Sequence, residues 1–304
     1  MKTKKEKKVF SHPFLNRWTI PGVIILSLGA YIIGQQVIGS VLGALCPLLQ
    51  GMLAGLTGTE LTAEAAQNTA LIGTELWTVF AAFFLLSVYW RWFYPEYKGS
   101  LPGEKMRFWL IFAGATVLFV LIFQLLTFVL SGSKIGFPSL VNLCAALMAG
   151  CFEEAVFRGI AGSYLMRQWP GEKGILKTMI TTSIIFALVH AMNLLSGAPL
   201  VATIYQILNA FGMGMFLCAV FLRSGSLWPG IIIHTLFDTI AFMDVTNIAE
   251  GGVMTGEYAT SWTDLIGFAF IALSICAALY LARPSVRGDI ARIWREKWHL
   301  SPAA

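Results

Sequence analysis

Six ionisable residues interrupt long apolar stretches in the second half of the 304-residue chain. They are two glutamates, one arginine, two histidines and one aspartate: Glu153, Glu154, Arg158, His190, His234 and Asp238. Ionisable groups at membrane depth are costly, so their presence there is by default a functional hypothesis. Carboxylates and imidazoles take up and release protons, and the set therefore indicates acid–base chemistry.

The first cluster lies within the segment CFEEAVFRG at 151–159. Glu154 and Arg158 are four positions apart, so on a helix they share one face and can form an ion pair. Glu153 lies about 100° further round the same helix. The two adjacent carboxylates therefore need not have the same role.

Two later segments repeat this helical spacing. Phe186, His190 and Asn193 follow i, i+4 and i+7 and so face one way, and His234 and Asp238 are again four apart. Taken singly, Phe186 favours a packing role and Asn193 favours hydrogen bonding between helices. Three helices can thus bring one polar cluster together in a cavity.

The elements that must position these residues are membrane-spanning helices. The chain is 57% hydrophobic and 12% charged, against about 25% charged in soluble domains. Its apolar runs are long enough to cross a bilayer as helices. We expect an all-α polytopic membrane protein with about eight transmembrane helices, at roughly 20–46, 76–94, 108–130, 139–164, 176–196, 200–222, 226–245 and 263–282.

The polar stretch 50–75 is expected to be a loop, with or without a short surface helix, which places Glu75 outside the membrane or at its edge. Nineteen of the 21 Lys and Arg residues fall in alternate connecting segments and termini. The positive-inside rule then predicts that both termini are cytoplasmic. The net charge of +5 is accordingly expected to reflect topology and contact with membrane lipids, not nucleic-acid binding.

This pattern divides the chain into three expected parts. Residues 1–19 form a basic cytoplasmic N-terminal segment, 20–282 a single transmembrane domain, and 283–304 a basic cytoplasmic tail. Two interpretations of the tail remain open. It is either an amphipathic helix on the inner leaflet or a solvated basic segment.

Metal chemistry is the rival interpretation of the polar cluster. Two histidines and a glutamate can in principle bind zinc. However, the HExxH spacing is absent, Arg158 would place a cation beside the metal, and the five cysteines form no CxxC pair. No metal or other cofactor is expected, and zinc remains the less favoured alternative.

Three short motifs occur in order on successive predicted helices. EEAVFR fits EExxxR, FALVH fits FxxxH and HTLFD fits HxxxN/D. In this combination, residues 139–245 resemble the CAAX-prenyl-protease and bacteriocin-processing (CPBP, or Abi) family of intramembrane proteases. The family includes eukaryotic enzymes that trim the last three residues of prenylated CaaX proteins, and bacterial members linked to bacteriocin immunity or peptide maturation.

The resemblance implies a glutamate protease. Glu153 matches the carboxylate that activates water as general base, and His190 matches the histidine that orients this water. Glu154 and Arg158 match the supporting pair. A carboxylate in a cavity of low dielectric constant suits a general base.

His234 and Asp238 match the positions that bind the carbonyl oxygen as it becomes an oxyanion. The family often has asparagine at the second position, and an ionised aspartate would repel an oxyanion. Asp238 is therefore either protonated or serves to orient His234, which then donates alone.

The expected activity is hydrolysis of a membrane-embedded or lipidated peptide, in peptide or bacteriocin maturation or in self-immunity, in a bacterial plasma membrane. Two other classes remain open. A non-catalytic membrane scaffold or regulatory protein could retain the motifs, and a proton-coupled transporter would also keep acids and histidines at mid-membrane.

Overall fold

The computed structural model describes residue 15, residues 17–244 and residues 264–300. Over these residues the protein is 84% helical and contains no strand, which confirms the all-α prediction. Most of the predicted N-terminal segment 1–19 and the last four residues of the tail 283–304 lie outside the described residues.

Seven helices of the described chain are long and apolar enough to cross a membrane, so the protein is a multi-pass membrane protein. They are α1 Thr19–Thr57, α2 Ala63–Phe93, α3 Met106–Ser131, α4 Leu140–Gln168, α5 Glu172–Leu195, α6 Leu200–Ser224 and α8 Asp264–Leu281. Two shorter helices are α7 Trp228–Ala241 and α9 Pro284–Lys297. α4 and α6 are the most buried of the seven, so they form the centre of the bundle.

The predicted span 226–245 corresponds to α7, which has 14 residues. At 1.5 Å per residue α7 is about 21 Å long, whereas the hydrocarbon core of a bilayer is about 30 Å thick. Half of its residues are buried against neighbouring helices, chiefly α3, α4 and α6. α7 begins with a proline in its first turn, Pro229, and ends at Ala241.

The predicted loop over 50–75 is wrong. α1 continues to Thr57 and α2 already begins at Ala63. Gly58 ends α1 in the left-handed conformation, with φ of 71°. The Thr62 hydroxyl accepts a hydrogen bond of 3.1 Å from a backbone N–H in the first turn of α2. Only a short turn therefore separates the two helices.

Small residues explain why both helices extend this far. A Cβ atom on Gly43 would lie 2.6 Å from the Cα atom of Thr74, and one on Gly73 would lie 2.6 Å from the Cys46 sulfur. The two backbones therefore approach closely, as small residues allow between membrane helices. This packing places Glu75 inside α2 and half-buried, not at the membrane edge.

The tail forms an amphipathic helix, α9, whose apolar face packs on the protein. Trp294 donates a hydrogen bond of 2.9 Å to a carbonyl of α6, and Trp298 donates one of 3.0 Å to the carbonyl of Ser163 in α4. Lys297 donates to two carbonyls in the connection between α2 and α3, each at 2.8 Å. α9 therefore ties three parts of the chain together at one end of the bundle.

Candidate active site

Helix α4 changes its winding where it carries the EExxxR motif. Residues Ala149–Gly162 form a π-helix, and 12 of these 14 residues are buried. π-helical turns are rare and occur frequently at functional sites. The motif therefore lies in the interior of the bundle on an irregular, tightly enclosed segment.

Glu154 and Arg158 form the ion pair that their spacing predicts. Oε1 of Glu154 lies 2.8 Å from Nη1 of Arg158, and both side chains are almost fully buried. Nη2 of Arg158 donates to the Gly214 carbonyl of α6 at 3.2 Å, and the guanidinium lies 4.6 Å from the centre of the Phe186 ring. Contacts with α5 and α6 thus hold the buried pair in place.

His234 connects both glutamates of the motif. Its Nδ1 lies 3.1 Å from Oε1 of Glu154, and because a carboxylate in an ion pair only accepts hydrogen bonds, Nδ1 carries the proton. Its Nε2 faces Oε2 of Glu153 and Oδ2 of Asp238, each at 3.7 Å. These two distances exceed a hydrogen bond and are suitable for an intervening water or substrate atom.

Phe186 separates the two imidazoles. Its ring meets the rings of His190 and His234 nearly at right angles, with centroid distances of 5.1 and 6.0 Å. Nδ1 of His190 lies 3.0 Å from the Phe186 carbonyl and donates to it, which leaves Nε2 as the second functional nitrogen. Phe186 therefore holds both histidines, by its ring and by its backbone.

One cavity of about 480 Å³ collects most of the predicted residues. Its lining includes Glu153, His190, Asn193, His234 and Asp238. The buried Glu154–Arg158 pair and Phe186 lie behind this lining. Asn193 donates a hydrogen bond of 2.8 Å to Gln206 of α6, whose side chain also lines the cavity.

α1 contributes a wall of this cavity that the three motifs did not predict. Gln35 and Gln36 line the cavity from a second π-helical segment, residues Ile32–Gly39, and Tyr31 lines it from the position just before that segment. Glu75 of α2 lies close enough to Glu153 for the two carboxyl groups to interact electrostatically. In the sequence, the signal for this wall is the pair of adjacent glutamines, Gln35 and Gln36, inside an apolar run.

A second cavity, of about 390 Å³, lies between α3, α6, α7 and α8. Its lining is almost entirely apolar and includes none of the predicted site residues. Within the described part of the chain, no three His, Cys, Asp or Glu side chains are grouped as metal ligands would be. The polar cavity is therefore the candidate active site.

The fold and this cavity define a multi-pass membrane protein with acid–base side chains inside its helix bundle. Residues 135–240 match the family described as type II CAAX prenyl endopeptidase, Rce1-like. The match spans α4 to α7 with all three motifs, and it confirms the resemblance to this protease family. No curated protein and no solved structure matches the chain.

Proposed function

We propose that the protein is an intramembrane endopeptidase of the CAAX-protease type, in which Glu153 activates water to hydrolyse a peptide bond. The match of 135–240 to an endopeptidase family supports this class of activity. One observation carries the proposal: Glu153, His190 and His234, from three different helices, line a single cavity.

The two glutamates differ in access, which supports different roles. The Glu154 side chain is fully buried and bound to Arg158 and His234, whereas the Glu153 side chain is 13% exposed and faces the cavity. Glu153 can therefore reach a water molecule. It removes a proton from this water while Nε2 of His190 orients it, and the hydroxide oxygen attacks the carbonyl carbon.

His234 supplies the compensating positive charge. Glu154 accepts from Nδ1, so a protonated His234 presents its Nε2 proton toward the cavity, where it donates to the carbonyl oxygen as negative charge develops. Asp238, 3.7 Å from Nε2, favours that protonated form. When the tetrahedral intermediate collapses, the C–N bond breaks and Glu153 passes its proton to the leaving amine.

The test compares cells that carry the wild-type protein with cells that carry Glu153→Gln, by quantitative proteomics of membrane peptides. We expect uncut precursors to accumulate and cleavage of a purified precursor to fall by about 10²–10⁴-fold, because general-base catalysis is lost. Glu104→Gln, which changes an exposed carboxylate paired with Arg292, is the control.

Unchanged cleavage by Glu153→Gln would contradict the proposed role of Glu153. An unchanged cellular phenotype of Glu153→Gln, with no cleavage by the wild-type protein, would favour a non-catalytic scaffold. Solute or proton flux in proteoliposomes that depends on Glu153 would favour a transporter instead.

Zinc is tested by dialysis against a chelator. Activity is expected to persist, and its loss with recovery on zinc addition would replace the glutamate mechanism with a metal mechanism.

The same proposal includes a cellular setting. The basic residues are concentrated in alternate segments and most connections are short, which supports a bacterial plasma membrane with both termini in the cytoplasm. Within that membrane the substrate class is a membrane-embedded or lipidated peptide, in peptide or bacteriocin maturation or in self-immunity. Localisation of a fluorescent fusion and reporter fusions at each terminus test the placement.

A further inference from the structure

The apolar cavity of about 390 Å³ lies near the middle of the four helices that form it. α3 and α8 are peripheral, since only 11% and 17% of the residues in their most apolar stretches are buried. α6 and α7 form the inner wall with the buried side chains of Met213, Phe216 and Ile233. Ala115 of α3 and Leu273 of α8 belong to the lining and are exposed, so the cavity opens between these two helices. At this depth of a bilayer, the opening faces lipid hydrocarbon.

The interior of the apolar cavity suits hydrocarbon better than water. Its two hydroxyl-bearing residues, Thr116 and Ser274, each donate a hydrogen bond of 2.9 Å to a carbonyl of their own helix, those of Phe112 and Phe270. A buried water molecule needs two to four polar partners. An apolar cavity of about 150 Å³ stays dry and takes up benzene. The larger cavity of this protein therefore favours an apolar ligand.

The shape of the lining favours a chain that runs along the helices. The lining extends from Phe112 to Val120 on α3 and from Phe270 to Ala277 on α8, which is about 10–12 Å along each helix axis. Lipid acyl chains cross a bilayer in this same general direction. The cavity can therefore take up a segment of one acyl chain through the opening between α3 and α8.

The inner wall of the apolar cavity also carries the active site. Ile233 of α7 lines the apolar cavity, and the next residue, His234, lines the polar cavity. Met213 of α6 lines the apolar cavity, and the carbonyl of the next residue, Gly214, accepts a hydrogen bond of 3.2 Å from Arg158. A void gives its walls no packing contacts on one side. An empty cavity therefore leaves α6 and α7 unsupported on the side away from the active site.

We propose that the apolar cavity binds one acyl chain of a bilayer lipid, and that this chain holds α6 and α7 at the spacing that the active site requires. The binding site depends only on the cavity, whereas its effect on catalysis rests on the proposed function. The chain comes from the bilayer and not from the peptide that is cut, because α6 and α7 lie between the apolar cavity and the polar cavity that contains Glu153.

Photolabelling tests the site directly. The full-length protein is reconstituted in nanodiscs of phosphatidylcholine, a small share of which carries a diazirine in the middle of one acyl chain. Labelled residues are mapped by mass spectrometry after irradiation. We expect label on Met213, Phe216 or Ile233, whose burial keeps them from lipid on the outer surface of the bundle. Label confined to exposed residues such as Leu118 would overturn the site.

A matched pair of variants on α8 tests whether the cavity is responsible. Ala277→Phe places a ring in the lining at a half-buried position, and Ala272→Phe places the same ring at an exposed position outside the lining. We expect labelling of the buried residues to fall at least about fivefold in Ala277→Phe, because a filled cavity has no room for the chain. Ala272→Phe should retain the wild-type labelling.

Thermal unfolding checks that both variants fold. Ser274→Leu, which adds a smaller side chain to the same lining, replaces Ala277→Phe if that variant does not fold. Unchanged labelling of the buried residues in a folded variant with a filled cavity would overturn the site. Loss of the label on addition of a lipidated peptide substrate would show that the occupant is the substrate's own chain, which would overturn the assignment to a bilayer lipid.

The effect on catalysis is measured as the lipid dependence of kcat. We expect removal of lipid in detergent to lower the kcat of the wild-type protein by about tenfold or more, because a small displacement of His234 is costly, and added phosphatidylcholine to restore it. Ala277→Phe should lose less activity on lipid removal, since its ring takes the place of the chain. Ala272→Phe should respond as the wild-type protein does.

Equal lipid dependence in Ala277→Phe and Ala272→Phe would overturn the effect on catalysis. A complete lack of Glu153-dependent cleavage under all conditions would contradict the proposed protease activity, whereas photolabelling would still decide whether the cavity binds a chain. The failure of this inference and the failure of the proposed function are therefore distinguishable.

Discussion

At the residue scale, His234 is the side chain that gives the two adjacent glutamates different environments. Its two nitrogens face Glu154 at 3.1 Å and Glu153 at 3.7 Å. Only Glu154 also has a guanidinium partner, Arg158. The Glu154 carboxylate is therefore held as a fixed hydrogen-bond acceptor, and the Glu153 carboxylate remains directed at the cavity.

Removal of the guanidinium tests how the buried pair is stabilised. We expect Arg158→Met to lower the free energy of unfolding by about 3–5 kcal/mol, because Glu154 then keeps an uncompensated buried charge. The double variant Arg158→Met, Glu154→Gln should recover most of this loss. Chemical denaturation in detergent measures both changes.

Arg292→Met is the control, because its ion pair with Glu104 is about half exposed. Such surface pairs contribute roughly 0–1 kcal/mol. A cost for Arg158→Met as small as that for Arg292→Met would show that the buried pair is not required for stability.

Phe186 offers a second test at this scale. We expect Phe186→Leu to lower kcat by about tenfold or more with a smaller change in KM, because the ring orients both His190 and His234. Steady-state kinetics on a cleaved peptide measures the effect. Phe119→Leu, at a half-exposed position on α3, should leave kcat unchanged. A rise in KM with unchanged kcat for Phe186→Leu would argue against an orienting role.

At the element scale, the close approach of α4 and α7 brings the glutamates to His234. A Cβ atom on Gly150 would lie 2.8 Å from the backbone nitrogen of Thr235 and 2.9 Å from the Ile231 carbonyl oxygen. Backbone atoms cannot move aside as a flexible side chain can. Glycine at this position therefore sets the distance between the two helices.

Gly150→Ala should separate these helices. We expect activity to fall by about 10²-fold, since a displacement near 1 Å is enough for such a loss. Gly114→Ala is the matched control, because a Cβ atom there meets nothing within 4 Å. The control should retain activity and gain up to about 1 kcal/mol of stability, as alanine favours a helix over glycine. Full activity in Gly150→Ala would refute the spacing role.

At the scale of the whole molecule, α9 joins separate parts of the chain at the end of the bundle remote from the cavity. Trp298 is 2% exposed, stacks on Tyr97 at 4.2 Å and donates to the carbonyl of Ser163. Arg167 lies over the same indole ring at 5.7 Å. The tail is thus part of the folded domain.

Truncation of this indole should destabilise the whole protein. We expect Trp298→Ala to cost about 3–5 kcal/mol, as for other large aromatic side chains removed from a core, and Tm to fall accordingly. Trp92→Ala, which removes an indole that is 72% exposed, serves as the control and should change Tm little. Equal Tm values for both variants would contradict an integral role for α9.

The sequence predicted what depends on residues near one another in the chain. The all-α class follows from apolar runs of bilayer length, and the Glu154–Arg158 pair follows from a four-residue spacing on one helix. The three motifs predicted the match of residues 135–240 to the protease family, because each motif lies on a single helix. The sequence did not show that Glu153 and Glu154 share a partner. In the structure both carboxyl groups face the same imidazole, that of His234.

What the tertiary structure decided depends on contacts between distant segments. The glutamine wall of α1 and the position of Glu75 within α2 follow from how the helices pack, and no local pattern specifies which helices become neighbours. The same holds for the docking of α9. By itself the sequence determined the helices and their chemical groups, whereas only the tertiary structure decided which groups share the cavity, because long-range packing sets the distances between helices.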